Sequence, residues 1–314
     1  MPNKLRFLAK LFLILIPCLF CLSTNRAANQ TTQFQDPPDL SGLSWVEGDT
    51  FLAVHDAKNP DENDRPRMSL LQLPKSLEGV IRTHITLNWP PPLGLSSDLE
   101  SIARIPGTNS FLLVESGEEA DVETRFRRVF LVRLADSKIK LLSFTDLPDT
   151  FKNIEGSAVA RISNRLIFIC AERADDQSRS EVYWADMELN PLRFGRFNKT
   201  YFSPVGFIGR NKRPISAIEI DGHGQLYIAS TYDPNDDNGP FTSVIWRAGR
   251  LRSDRHNRFS LVFEVKPRRL ATLDGFKVES LAIRERDQQS VELFAGTDDE
   301  NFGGDIRPIP LRLP

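Results

Sequence analysis

Apolar residues along this chain fall in short continuous runs and not at helical spacing. Phe111-Leu112-Leu113-Val114, Leu166-Ile167-Phe168-Ile169-Cys170 and Leu226-Tyr227-Ile228-Ala229 are examples, each bounded by turn residues. Pro106-Gly107-Thr108-Asn109, Ser163-Asn164 and Asp221-Gly222-His223-Gly224 supply such turns. The pattern predicts β-strands joined by tight connections, with no amphipathic helix between them.

One phrase recurs five times. It begins at Asp39-Leu40-Ser41-Gly42-Leu43, Asp98-Leu99-Glu100-Ser101-Ile102, Asn153-Ile154-Glu155-Gly156-Ser157, Pro214-Ile215-Ser216-Ala217-Ile218 and Lys277-Val278-Glu279-Ser280-Leu281. From Leu40 to Leu99, Ile154, Ile215 and Val278 the steps are 59, 55, 61 and 63 residues. A fixed period of this kind marks a repeat architecture. Within the second copy the predicted strands are Glu100–Ile105, Ser110–Glu115, Arg128–Leu134 and Lys138–Leu147. In the third they are Glu155–Ile162, Arg165–Ala171, Ser180–Leu189 and about Arg193–Phe202. The fourth gives Ala217–Ile220, Gln225–Ser230, Ser243–Arg250 and Phe259–Val265.

About four antiparallel strands per copy, arranged radially, predict an all-β, five-bladed β-propeller. Packing blades around an axis buries sheet faces that a lone blade would expose. The fifth copy is short: after Val278–Ile283 and Val291–Ala295 only Ile306–Leu313 remains. We expect an N-terminal strand, Gln30–Gln35, to complete that blade and close the ring. Residues 29–314 then form a single propeller domain.

Residues 1–28 read as a signal peptide and short leader. Lys4, Arg6 and Lys10 precede an apolar run, Leu11 to Leu22, and small residues follow. The expected product is exported, periplasmic or secreted, with no membrane span in the mature chain. Cleavage removes Cys18 and Cys21 and leaves Cys170 alone, so no internal disulfide is possible. The formal net charge of −2 gives no basic excess and argues against a nucleic-acid partner. His55, His84, His223 and His256 show no zinc-ligand spacing.

The third residues of the five phrases are Ser41, Glu100, Glu155, Ser216 and Glu279. In a propeller the first strand of each blade lines the channel, so these five should face one point on the axis. Carboxylates that close together oppose ionisation unless their pKa values rise or a cation joins them. An all-oxygen donor set selects a hard cation, Ca²⁺ first. The order Ser, Glu, Glu, Ser, Glu resembles that of the calcium-activated nucleotidases, the soluble apyrases, which are secreted five-bladed propellers with a central calcium. The resemblance implies backbone oxygens from Ser41 and Ser216 and carboxylates from Glu100, Glu155 and Glu279. The first and last phrases also resemble esterase-like and phytase-like exported propellers.

The second strands end in His55-Asp56, Glu115-Ser116, Glu172-Arg173, Tyr232-Asp233 and Asp298-Asp299. We expect these to ring a ligand mouth above the metal. Apyrases are rich in arginine there; here Arg173 matches, with Lys58 nearby, and the mouth is otherwise acidic, Glu118 included. No nucleophile elbow and no P-loop occur. Two function classes remain open. One is a metal-dependent hydrolase of a phosphorylated or other anionic small molecule, with Asp56, Glu115, Asp233 or Asp298 as candidate base. The other is a non-catalytic propeller in which calcium is structural and the loops hold a small molecule or a protein partner.

Overall fold

The structure is a computed structural model that describes residues 39–58, 61–74, 79–90, 94–117, 126–285 and 291–310. These all belong to one compact unit, Asp36–Pro314. The expected signal peptide, the closing strand Gln30–Gln35 and Glu118 lie outside the described residues.

Five antiparallel sheets follow one another along the chain. Blade one contains β1 (Gly42–Glu47), β2 (Thr50–Val54), β3 (Met68–Gln72) and β4 (Ile81–His84). Blade two contains β5 (Leu99–Arg104), β6 (Ser110–Glu115), β7 (Arg128–Ala135) and β8 (Lys138–Asp146). In blade three, β9 (Ile154–Ile162), β10 (Arg165–Glu172) and β11 (Ser180–Leu189) are followed by a split outer strand. Its halves, β12 (Leu192–Phe194) and β13 (Asn198–Phe202), both pair with β11. Blade four contains β14 (Lys212–Ile220), β15 (Gln225–Tyr232), β16 (Thr242–Ser253) and β17 (Phe259–Asp274). Blade five shows three described strands, β18 (Val278–Glu285), β19 (Val291–Thr297) and β20 (Ile306–Ile309).

The inner strands form a closed circle: β1 neighbours β5, then β9, β14 and β18 follow, and β18 returns to β1. The continuous apolar runs explain how. Successive side chains on a strand point to opposite faces. On β6, Leu112 and Val114 enter the core shared with blade three, while Phe111 and Leu113 enter the core shared with blade one. On β10, Ile167 and Ile169 face blade four, and Phe168 and Cys170 face blade two. A strand buried on both faces must be apolar at every position. Among the described residues there is therefore one core per blade interface, five in all, and not a single central one.

The fifth interface closes the described ring. Leu40, Leu43, Phe51 and Leu71 pack against Ala282, Phe294 and Ile306. Ser280 Oγ donates to Leu40 O at 2.7 Å, and Arg284 reaches Asp49 at 2.7 Å. Close approach of the inner strands needs small residues. A Cβ on Gly156 would stand 2.8 Å from the Ile218 backbone nitrogen, and one on Gly42 2.8 Å from that of Ile102.

Strand ends follow the repeat except in blade four. There β17 runs on to Asp274 past Lys266, Pro267 and Arg268, because residues 264–267 loop out between the Gly249–Phe263 and Arg247–Arg268 pairs. A bulge tolerates the proline that would break a regular ladder. Cys170, Tyr183, Trp184 and Trp246 are buried packing residues, as their positions in apolar strands suggest.

Candidate metal and ligand site

Each phrase starts its inner strand, so the predicted column reaches one end of the channel. The three glutamates share a local device. On β5, Leu99 faces Glu115 and Ser101 faces Val114, which leaves Glu100 as an extra residue. Glu155 and Glu279 occupy the same register shift on β9 and β18. A bulge frees a side chain from the pleat and re-aims it. All three carboxylates are buried, and each feels at least one of the others. Beyond them the channel narrows to a cavity of about 10 Å³, lined by Gly42, Ser101, Ser157 and Ala217, room for roughly one water.

The ring is electrostatically lopsided. On the side of blades three to five it is filled by protein cations. Arg173 meets Glu155 at 3.2 Å, and Arg213 meets Glu279 at 2.8 Å and Asp233 at 2.7 Å. The Lys277 ammonium lies 2.7 Å from Asp298 and 3.2 Å from Glu279, and also pairs with Glu300. Burial works against the charge on Glu279, but Lys277, Arg213 and Arg173 outweigh it and hold its pKa below the ordinary value. Glu155 is pushed up to about 7 by burial, with Arg173 and Arg213 opposing.

On the side of blades one and two the carboxylates face each other. Asp56, from the end of β2, and Asp98 and Glu100, from the start of β5, place ligand oxygens within 4.8 Å of one another, a group that could hold a metal ion. The cation paired with this group is Lys58, 3.3 Å from Asp98 and half exposed. Burial, then Glu155 and Asp98, raises Glu100 well above a normal glutamate. Burial and Asp298 push Asp56 up to about 7 and Asp39 up to about 8.

The residues present fit a hard cation. Their donors are all oxygens. Ser41 Oγ is buried with no hydrogen-bond partner among the described residues, and the buried Asp98 Oδ1 meets the Lys58 ammonium alone, at 3.3 Å. The other Asp98 oxygen is taken by Ser116 Oγ, which fixes the carboxylate. Ser216 Oγ, by contrast, is spent on Val278 O at 2.7 Å and Thr231 Oγ1 at 2.9 Å.

Several expected mouth residues do other work. Glu115 is fully buried, and its carboxylate accepts from Arg128 Nη2 at 2.6 Å and Nε at 2.8 Å and from the Ser97 and Arg128 backbone N–H groups. It pins the strand ends of blade two, with both oxygens engaged by Arg128. His55 is buried between Asp39 O and Ser69 Oγ, and burial holds it neutral, with its pKa lowered to about 3. Tyr232 packs into the core between blades three and four. Glu172 accepts from Lys152 N and Tyr183 Oη. Asp299 accepts from Lys277 N and Thr297 Oγ1, a staple within its loop. Asp56, Arg173, Asp233 and Asp298 remain at the charged mouth. The 233–240 loop caps its own turns through Asp233 and Asp236.

Sequence reasoning missed Asp39, Asp98, Arg213 and Lys277 as members of the site. A signal existed for three of them. Asp39, Asp98 and Lys277 occupy the first position of their phrases, two columns before the one chosen.

No family model matches the sequence, and no curated protein does. Among solved structures, the chain is similar in fold to an exo-1,5-α-L-arabinanase from a bovine ruminal metagenomic library. The TM-score is 0.50 at 8% identity, over 87% of this chain and 93% of that one. A Bombyx mori GH32 β-fructofuranosidase in complex with sucrose aligns with TM-score 0.49 and 11% identity, over 86% of this chain and 59% of that one. A periplasmic gluconolactonase of Pseudomonas aeruginosa aligns with TM-score 0.39 and 13% identity, over 83% and 82%. The chain is an all-β, five-bladed propeller. At these identities the likeness is one of fold.

Proposed function

We propose that this chain is an exported propeller that binds calcium at Asp56, Asp98 and Glu100 and hydrolyses a small anionic ester at the mouth above it. One observation carries the reading. Half the ring is neutralised by direct ion pairs to Arg173, Arg213 and Lys277, whereas Asp56, Asp98 and Glu100 converge with one direct ion pair among the described residues, from the half-exposed Lys58 to Asp98. Calcium takes six to eight oxygens, so three carboxylates leave positions for water and substrate. When bound, such a cation polarises an ester oxygen and makes bound water more acidic. Asp98, fixed by Ser116, sets the geometry. Asp56 is only partly covered and opens toward solvent, where Lys58 and Arg173 can meet the negative group of the substrate. The order of ring residues shared with the calcium-activated nucleotidases supports a phosphate ester, and the acidic rim favours a substrate that arrives with its own cation.

A second reading keeps the calcium and drops the catalysis. It is favoured by Arg213 and Lys277, which are almost wholly buried and locked to three or four carboxylates, as in a structural cluster. The test is a thermal melt in excess calcium and in chelator, followed by phosphate release from a panel of nucleotides and phosphomonoesters. A calcium shift abolished by Asp98→Asn, with turnover, supports the hydrolase. The same shift without turnover selects the structural reading. No shift in the wild-type chain overturns both.

A further inference from the structure

Blade four carries a second charged feature at the end opposite the mouth. β16 starts at Thr242, across from Tyr232, and reaches Arg250 across from Gln225. Eight residues of strand separate these ends by about 26 Å. Between Arg247 and Arg269 stand eight lysines and arginines against Asp254 and Glu264, in a chain whose net charge is −2. A concavity of about 300 Å³ opens there, lined by Arg247, Arg250, Arg252, Gln225, Phe263 and Glu264.

Its cations are under-compensated. The Nε of Arg247 is buried without a hydrogen-bond partner among the described residues, and Glu264 stands 3.8 Å away. The Arg250 and Arg252 side chains make no hydrogen bond or ion pair among the described residues. The concavity's lining thus carries three guanidinium groups and one carboxylate, Glu264. The frame beneath them is rigid. Gln225 Nε2 donates to Gly249 O at 2.6 Å, and the hairpin is tied to blade three by Arg165, which donates to Asn257 O at 2.5 Å and covers the Phe259 ring. Guanidinium forks on a fixed support match the geometry of phosphate and sulfate oxygens.

We propose that this concavity is an oxyanion site, separate from the axial mouth, that holds a phosphate or sulfate group of a soluble polyanion. Lys266 and Arg268 continue the positive path along β17 beyond the pocket, as a ligand with more than one charge requires. The experiment is calorimetric titration of the full chain with pyrophosphate and with dextran sulfate, in EDTA so that no metal at the mouth can recruit them. Co-sedimentation with phosphatidylglycerol vesicles forms a third arm. Dextran sulfate and pyrophosphate should both bind, the polymer more tightly. Arg250→Gln with Arg252→Gln should weaken both by about tenfold or more. Glu264→Gln should tighten them, which keeps the test decisive if the double variant does not fold. The calcium-induced melting shift should be the same in all variants. Equal binding by the double variant, no binding of either soluble anion, or binding confined to vesicles would each overturn the proposal.

Discussion

Raising the pH of the metal-free protein above 6.5 should destabilise it, and the size of the effect follows from Asp39. Its carboxyl holds a proton to about pH 8 in the folded chain, because of burial, Asp298 and Asp56, against 3.8 for an ordinary aspartate. The folded state therefore binds a proton that the unfolded state has lost. Stability falls with pH wherever the unfolded state binds fewer protons. This contribution is complete near the unfolded value and is lost as pH rises through 8. Each pH unit in the window costs about 1.4 kcal/mol, so 1.5 units cost about 2 kcal/mol. Asp56 and Glu155, both about 7, act in the same direction. The three share one field, so a single group's worth is the expected magnitude. Below pH 6.5 one further group opposes the decline. His55 is held at about 3 by burial and is uncharged in the fold, so it gains stability as pH rises toward 6.5. His55 thus offsets about one acid's worth of the decline, so metal-free stability should be about level between roughly pH 4 and 6.5 and fall above it. At roughly 2–4 °C per kcal/mol for a domain of this size, the melting temperature in EDTA should fall by about 4–8 °C between pH 6.5 and 8. Excess calcium should restore roughly 3–4 kcal/mol at pH 8, where the ligands are ionised, and much less at pH 5. Asp39→Asn should flatten the metal-free decline. A melting temperature that is level or rising from pH 6.5 to 8 in EDTA would refute the reasoning.

Lys277→Met should cost about 3–5 kcal/mol in urea denaturation, because Asp298, Glu279 and Glu300 lose the ammonium buried among them. Arg128→Met should cost a similar amount, about 3–5 kcal/mol, by stranding the buried Glu115 carboxylate, and adding Glu115→Leu should recover much of it in a double-mutant cycle. Gly156→Ala should lower stability by about 1–3 kcal/mol, because its methyl would press on the Ile218 backbone and part blades three and four. Calorimetric melting checks this, with Gly79→Ala expected to change little, since nothing lies within 4 Å of that Cβ and its backbone is not in the left-handed region.

How much of the site could be read without coordinates depends on which interactions repeat. Glu100, Glu155 and Glu279 recur at one place in a period, and a radial fold turns equal places in the repeat into neighbours on the axis. The cations that match two of them do not recur. Arg213 meets Glu279 from 66 residues away. Lys277 sits two residues before Glu279, yet the bulge at that glutamate decides that their charged groups meet. Glu115 is a third kind of case. It ends a second strand as mouth residues should, but Arg128 on the next strand captures it, and nothing in the local pattern distinguishes it from Asp56.

By itself the chain determined its blade count, its strand order and the axial column of glutamates, because period and apolar runs are local properties that survive any rearrangement of loops. Tertiary structure alone decided which carboxylates are neutralised and which remain in excess. Charge pairing depends on distances of a few ångströms between residues from different blades, set by bulges and by the curvature of the ring. That is why three chemically identical glutamates on one ring end with different fates: Glu279 held ionised between Lys277 and Arg213, Glu155 partly matched by Arg173, and Glu100 left among acids beside Asp56 and Asp98.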